Sequence, residues 1–162
     1  MERHTASGPV TIVEVGPERA DVVAEVRRHF LSEHRGRDLD RSGRFAAENR
    51  RWVALGLTDG WYRSWVAEAG TEVVGGVSLL VHRSAPLPDD DRTAEAWVIA
   101  LWVRADRRRQ GIATRLLEGC RSAAASSGVR RLLLWATEDG RPLYQREGFT
   151  TSDRLFYLGV PG

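Results

Sequence analysis

Lysine is absent from this 162-residue chain, so all 24 basic side chains are arginines. Against them stand 22 carboxylates, and the formal net charge is only +2. That near-balance lacks the basic surplus with which a protein tracks a phosphate backbone, and it argues against nucleic acid as a partner. Cysteine is almost missing as well. The one thiol, Cys120, excludes an intrachain disulfide and suits a reducing cytoplasm, where we expect the protein to reside. It cannot build a cysteine-based zinc site alone, and the four histidines show no ligand spacing, so no metal is expected. No apolar run approaches the ~20 residues that cross a bilayer, and no secretory pattern opens the chain. Membrane association is therefore not expected. Nor is there a repeat, a low-complexity tract or a linker; residues 1–162 read as one domain, with 1–9 as a loose terminus.

What is present is a regular alternation of apolar patterns. "VTIVEV" (10–15) reads as a strand. A helix over 17–34 follows, with Pro17 near its start and Val22, Val26 and Phe30 on one face. A second helix over about 44–57 turns Phe45, Trp52 and Val53 inward. "WYRSWVAE" and "EVVGGVSLLVHR" flank "AGT" as a hairpin, and Gly75–Gly76 signals a bulge or a close backbone approach. After an acidic, solvated connection (84–93), "AWVIALWV" (96–103) is apolar throughout, as in a strand covered on both faces. A helix from about 111 to 126 keeps Ile112, Ala113, Leu116, Leu117, Cys120, Ala123 and Ala124 on one stripe and ends at Gly128. A strand at 130–136 completes a βαβ unit. A short helix follows in 138–149, with Asp139 as its cap and Gly148 as its stop, and a last strand covers 154–160. The order β-α-α-β-β-β-α-β-α-β defines an α/β chain with a mixed sheet.

One stretch conflicts with helix electrostatics. In "VRADRRRQGIATRLL" three arginines precede a glycine and an amphipathic helix. If Asp106 caps that helix, the cations lie against its positive end, each unfavourable by roughly 0.3–1 kcal/mol. The arrangement makes sense if an anion binds there. Glycine admits a ligand to the backbone, helix N–H groups point outward, and arginine adds charge-assisted hydrogen bonds to phosphate. Neither a P-loop nor a G-x-G-x-x-G dinucleotide fingerprint occurs; the pattern present is R-x-x-G-x-A, Arg108 to Ala113.

"LWVRADRRRQGIATRLL" resembles the acyl-coenzyme A signature of the GNAT superfamily of N-acetyltransferases, [Q/R]-x-x-G-x-[G/A]. "PLYQREGF" resembles the family's second signature, a Tyr on a short helix ahead of Gly-Phe. The element order is similar over about residues 10–160. The resemblance implies a GNAT fold whose fourth and fifth strands splay into a V-shaped cleft. It implies that Arg108, Arg109, Gln110, Gly111, Ile112, Ala113 and Thr114 wrap the coenzyme A diphosphate. Leu101, Trp102 and Val103 would then hydrogen-bond the pantetheine arm, with Thr137 near the same ligand. Ala105 departs from the family's frequent proline, which touches loop stiffness and not phosphate binding.

The chemistry the resemblance implies is direct attack of a primary amine on acetyl-coenzyme A, with no covalent enzyme intermediate. Tyr144 matches the acid that protonates the departing thiolate; a phenol with pKa near ~10 holds its proton at neutral pH. Glu95, at the entry of the strand before the signature, is the best-placed carboxylate for a base, with water or backbone carbonyls as alternatives. Cys120 sits on a buried stripe and reads as core. Trp52, Trp61, Tyr62 and Trp65 read as core packing or as the wall of an acceptor pocket. The rival reading is a non-catalytic acyl-coenzyme A sensor of the same fold. The acceptor, small molecule or peptide, is not encoded in these patterns, and a homodimer is compatible with them.

Overall fold

The computed structural model describes residues 8–160 other than 37 and 42; residues 1–7 of the expected loose terminus lie outside the described residues. Its five strands are β1 (Val10–Val15), β2 (Tyr62–Ala69), β3 (Glu72–Arg83), β4 (Ala94–Val103) and β5 (Val129–Leu133). They form one sheet in that order, antiparallel from β1 to β4 and parallel between β4 and β5. The helices are α1 (Ala20–Arg35), α2 (Gly43–Asp59), α3 (Ile112–Ser126) and α4 (Arg141–Arg146). This is the mixed α/β sheet expected from the element order.

Each face of the sheet has its own core. On one side α1 and α2 bury Val23, Val26 and Val53 against Val15, Tyr62, Val66 and Trp102. On the other, α3 packs Ile112, Leu116, Leu117 and Cys120 on Trp65, Val74, Val77, Leu79 and Val98. The α3 stripe read from the sequence is the buried one, and α3 ends before Gly128, whose φ of 67° is reached at little cost without a Cβ.

The Gly75–Gly76 pair is a place of close approach. A Cβ on Gly75 would lie 2.9 Å from the Trp102 carbonyl oxygen, and one on Gly76 would lie 2.8 Å from a Val26 methyl. Opposite them the register slips: Gly76 pairs with Trp102, but Ser78 pairs with Ile99, so β4 carries one residue more than β3. The extra residue is centred on Ala100, whose φ is 55°. Side chains alternate along a strand, so an inserted residue inverts which face later positions take. Ala96 and Val98 face α3 while Ile99 faces α1; beyond the bulge Leu101 and Val103 face α3 and Trp102 faces α1. Without the bulge, Trp102 would point to α3.

Three expectations are corrected. Phe45 is 40% exposed, because α2 buries the stripe Ala46, Asn49, Val53 and Gly56 instead. The strand expected over 130–136 stops at Leu133. Residues 154–160 form no strand: Leu155, Phe156, Tyr157 and Leu158 are exposed, and among the described residues the outer edge of β5 pairs with nothing. Four successive apolar residues do not specify one face, so the pattern shows pairing capacity without fixing a register.

Candidate active site

β4 and β5 begin together and then separate. Their pairs are Ala94 with Val129, Ala96 with Leu132 and Trp97 with Leu133; from Val98 to Val103, β4 has no β5 partner. One edge of its backbone is therefore left without a strand neighbour, and apart from the Val103 carbonyl, which accepts from Arg108 Nε at 2.8 Å, it is the kind of edge an extended ligand can add to. Leu101, Trp102 and Val103 lie on this stretch. The bulge at Ala100 lies within it too, in a backbone region that costs a non-glycine residue about 1–3 kcal/mol and is concentrated at functional sites.

β4 runs into the arginine-rich loop. Residues Ala105–Arg107 make one tight 3-10 turn, and α3 starts only at Ile112. Asp106 does not cap α3; its carboxylate takes both Nε and Nη2 of Arg104, at 2.7 and 3.1 Å. The arginines thus precede the helix rather than form its first turn. Gly111 is the residue before α3, with φ 75° and open space where a Cβ would stand. No side chain caps the helix. Its first backbone hydrogen bond closes from Arg115 N–H to the Gly111 carbonyl (3.1 Å), so the N–H groups of Ile112, Ala113 and Thr114 have no partner within the helix. Those donors and the helix dipole suit an anion.

The three arginines have different surroundings. Arg107 is buried, with Nη2 3.4 Å from the Gly8 carbonyl. Arg108 donates from Nε to the Val103 carbonyl (2.8 Å) and from Nη2 to Glu33 Oε2 (2.5 Å). Arg109, at φ 59°, is exposed and has no hydrogen bond or ion pair among the described residues. Gln110 turns back to the Asp106 carbonyl.

The segment "YQREGF" closes α4 in a specific way. Gly148, at φ 84°, donates to the Gln145 carbonyl (3.1 Å), and Phe149 N–H donates to the Tyr144 carbonyl (2.9 Å). This is a Schellman stop, in which glycine supplies the left-handed residue and the next side chain contacts the helix. Here Phe149 meets Tyr144 edge-on, with ring centroids 5.7 Å apart. The motif therefore fixes the tyrosine ring. Burial pushes the Tyr144 phenol above its ordinary pKa, so it keeps its proton through the neutral range. The hydroxyl makes no hydrogen bond among the described residues. α4 is tied to the start of α3: Glu147 accepts from Thr114 Oγ1 at 2.7 Å, and Arg121 Nη2 donates to the Glu147 carbonyl at 2.5 Å.

Thr137 serves the same helix. Its Oγ1 and its carbonyl both accept from Gly140 N–H (3.1 Å each), a role the sequence suggests for Asp139. Glu95 lies at the other end of β4, with Oε1 3.1 Å from Arg130 Nε and 3.0 Å from Arg131 Nη2. Seven strand residues lie between it and Val103, eight steps and roughly 26 Å of rise along a regular strand. The structure therefore does not place it beside the loop. Cys120 is fully buried and its thiol is pushed up to about 12 by that burial, which leaves no thiolate for catalysis. The aromatic group divides: Trp52, Trp61 and Tyr62 pack edge to face on the α1–α2 side, whereas Trp65 lies under Gly119 on the α3 side. They make no common wall. Sequence reasoning missed Glu33 and Ala100; neither contact with distant residues nor a positive φ at alanine leaves a local signal.

The family model of the GNAT acetyltransferases matches residues 23–149, and the chain belongs to that family. A GCN5-related N-acetyltransferase from Ralstonia eutropha JMP134 has 25% identity and a TM-score of 0.74, over 93% of this chain and 98% of that one. A predicted acetyltransferase from Clostridium acetobutylicum, solved with acetyl-CoA, has 17% identity and a TM-score of 0.81, over 93% and 96%. The ribosomal-protein-alanine N-acetyltransferase of Brucella melitensis biovar Abortus 2308 has 21% identity and a TM-score of 0.67, over 94% and 99%. No curated protein matches the sequence. Among the described residues no group of three or more His, Cys, Asp or Glu side chains could hold a metal ion, and no helix is long and apolar enough to cross a membrane.

Proposed function

We propose that this single domain transfers the acetyl group of acetyl-coenzyme A directly to a primary amine of a small-molecule or peptide acceptor. The observation that carries the reading is the uncapped start of α3 behind Gly111, set at the end of a strand edge that has lost its neighbour. A diphosphate fits the first feature, because three outward N–H groups and the cation of Arg109 supply donors and charge. An extended amide-bearing arm fits the second, because amides can complete the ladder along Leu101–Val103.

The amine nitrogen, once deprotonated, attacks the thioester carbonyl carbon. A C–N bond forms, the C–S bond breaks, and the sulfur leaves with its electron pair. Tyr144 Oη donates the proton that makes the free thiol, and it regains one from solvent. The ammonium proton passes to water, which a backbone carbonyl of the unpaired edge can orient by accepting its hydrogen bond. The second nitrogen proton, lost as the amide forms, goes to solvent and balances the one that Tyr144 regains. We assign Glu95 to holding Arg130 and Arg131 rather than to that transfer. An amine acceptor suits a pocket of about 320 Å³ along α1, lined by Asp21, Glu25, His29 and Trp102. Arg28 and Arg41 already hold the Glu25 carboxylate, so Asp21 is the carboxylate that would draw a protonated amine there.

The test is release of free thiol from acetyl-coenzyme A across a panel of polyamines, aminoglycosides, amino acids and peptide N-termini. At least one amine is expected to accelerate release in proportion to enzyme concentration. Binding of acetyl-coenzyme A without transfer to any amine would identify an acyl-coenzyme A-binding module instead.

A further inference from the structure

Glu33 lies on α1, 75 positions from the arginine it contacts. Its Oε1 accepts from Trp102 Nε1 at 2.8 Å, and its Oε2 accepts from Arg108 Nη2 at 2.5 Å. One turn earlier on the same helix, His29 stacks on the Trp102 indole, with centroids 4.5 Å apart and planes 9° from parallel. Arg108 in turn holds the Val103 carbonyl through Nε. Two residues, Trp102 of β4 and Arg108 of the loop, thus close on one carboxylate of α1, with His29 and Val103 bracing them in turn. The contact exists only because the bulge at Ala100 turns Trp102 toward α1.

We propose that Glu33 is a positioning residue that holds the 108–111 loop in its ligand-ready shape, so that α1 sets the affinity for the acyl-coenzyme A diphosphate. The proposal rests on the reading of that loop as a phosphate site. The loop needs such a brace. Arg109 sits at φ 59°, where a side chain is disfavoured, and Gly111 at φ 75° leaves the backbone free to choose other conformations. An unbraced loop would spend much of its time elsewhere, and its apparent affinity would fall by the fraction of time it is correctly formed. Glu33 also offsets the charge of Arg108 in the free protein, which leaves Arg109 as the cation turned to the ligand. That resolves the crowding of positive charge before α3.

The alternative physics has the opposite sign. A carboxylate near a diphosphate site repels the ligand and competes for Arg108, and removing it would then tighten binding. Calorimetric titration of acetyl-coenzyme A into wild type, Glu33→Ala, Glu33→Gln, Arg108→Ala and the Glu33→Ala/Arg108→Ala double variant separates the two. We expect Glu33→Ala to weaken binding about tenfold and Glu33→Gln, which can still accept from Trp102, about threefold, as for loss of a half-exposed charge-assisted hydrogen bond. In steady state KM for the acyl donor should rise with kcat within about twofold, the pattern of lost uniform binding. In the Arg108→Ala background the Glu33→Ala effect should shrink from about tenfold to about threefold, the part carried by the Trp102 bond, because the Arg108 part is already gone. Tighter binding, unchanged binding or strictly additive losses would each overturn the proposal. Glu33→Gln keeps the test open if the alanine variant does not fold. Absence of binding by the wild type would instead remove the phosphate-site reading itself.

Discussion

The two ends of β4 are built oppositely. At its start the strand is paired on both sides, and Glu95 is held by Arg130 and Arg131 while Arg130 also donates to the Ala85 and Arg92 carbonyls and to Ser84 Oγ. At its end the β5 side is open, the backbone is bulged, and polar groups of the loop and of α3 face outward. Both ends are rich in arginine. At the first, arginine meets carboxylate and carbonyl and closes the structure. At the second, Arg104 and Arg108 are held by carboxylates but Arg109 is not, and backbone donors remain unsatisfied. Charge content alone does not separate a staple from a site; what separates them is whether the donors are already used.

Breaking the open end should have the largest effect. Gly111→Val would place a β-branched residue at φ 75° and fill open space in front of three N–H groups. Coenzyme A affinity should fall about a hundredfold or more, since two lost charge-assisted hydrogen bonds at about 1.5 kcal/mol each give that factor. Calorimetry reads the loss, and a cooperative melt, lowered by no more than about 1–3 kcal/mol of backbone strain would explain, shows that the fold survives. Tyr144→Phe sharpens the division of labour within the open end. It should lower kcat about a hundredfold, in the lower range for a general acid, and leave the acetyl-coenzyme A dissociation constant nearly unchanged.

At the closed end the expected effect is on stability instead. Glu95→Gln leaves the nearly buried Arg130 without its carboxylate and should cost about 1–3 kcal/mol of unfolding free energy in a denaturant titration, with kcat within about twofold. A collapse of kcat in a folded variant would restore Glu95 as a base. The smallest effect concerns Glu25, which takes Arg28 through two hydrogen bonds of 2.9 Å. That bonding to Arg28 holds its carboxyl below the usual range despite an opposing contribution from burial. A depressed carboxylate contributes stability that is present above its unfolded pKa, about 4.3, and is lost as pH falls through the lower folded value. Acidification into that range should therefore destabilise the wild type more than Glu25→Gln, by about 1 kcal/mol for this partly exposed pair.

Much of this was legible in the order of residues. Gly148 and Phe149 signal a helix stop that fixes Tyr144, because only one kind of turn uses glycine and then an apolar residue in that way. Arg108 to Ala113 signal an anion loop, because glycine after a strand and before a helix has few other uses. The α3 stripe was readable from period alone. Ala100 was not, since any sequence window shows an ordinary apolar strand and the extra residue appears only against β3. Glu33 looks like a solvated helix position until Trp102 and Arg108 are brought to it across the fold. Residues 154–160 show the reverse error, a strand-like composition that pairs with no edge, although the outer edge of β5 is open among the described residues.

The central claim is that the open end of β4 and the start of α3 form one receptor for a diphosphate-bearing acyl donor. Calorimetric titration of acetyl-coenzyme A into the wild-type protein tests it most directly. The account predicts a saturable one-to-one heat that disappears in Gly111→Val. No heat from the folded wild type at millimolar ligand would contradict it.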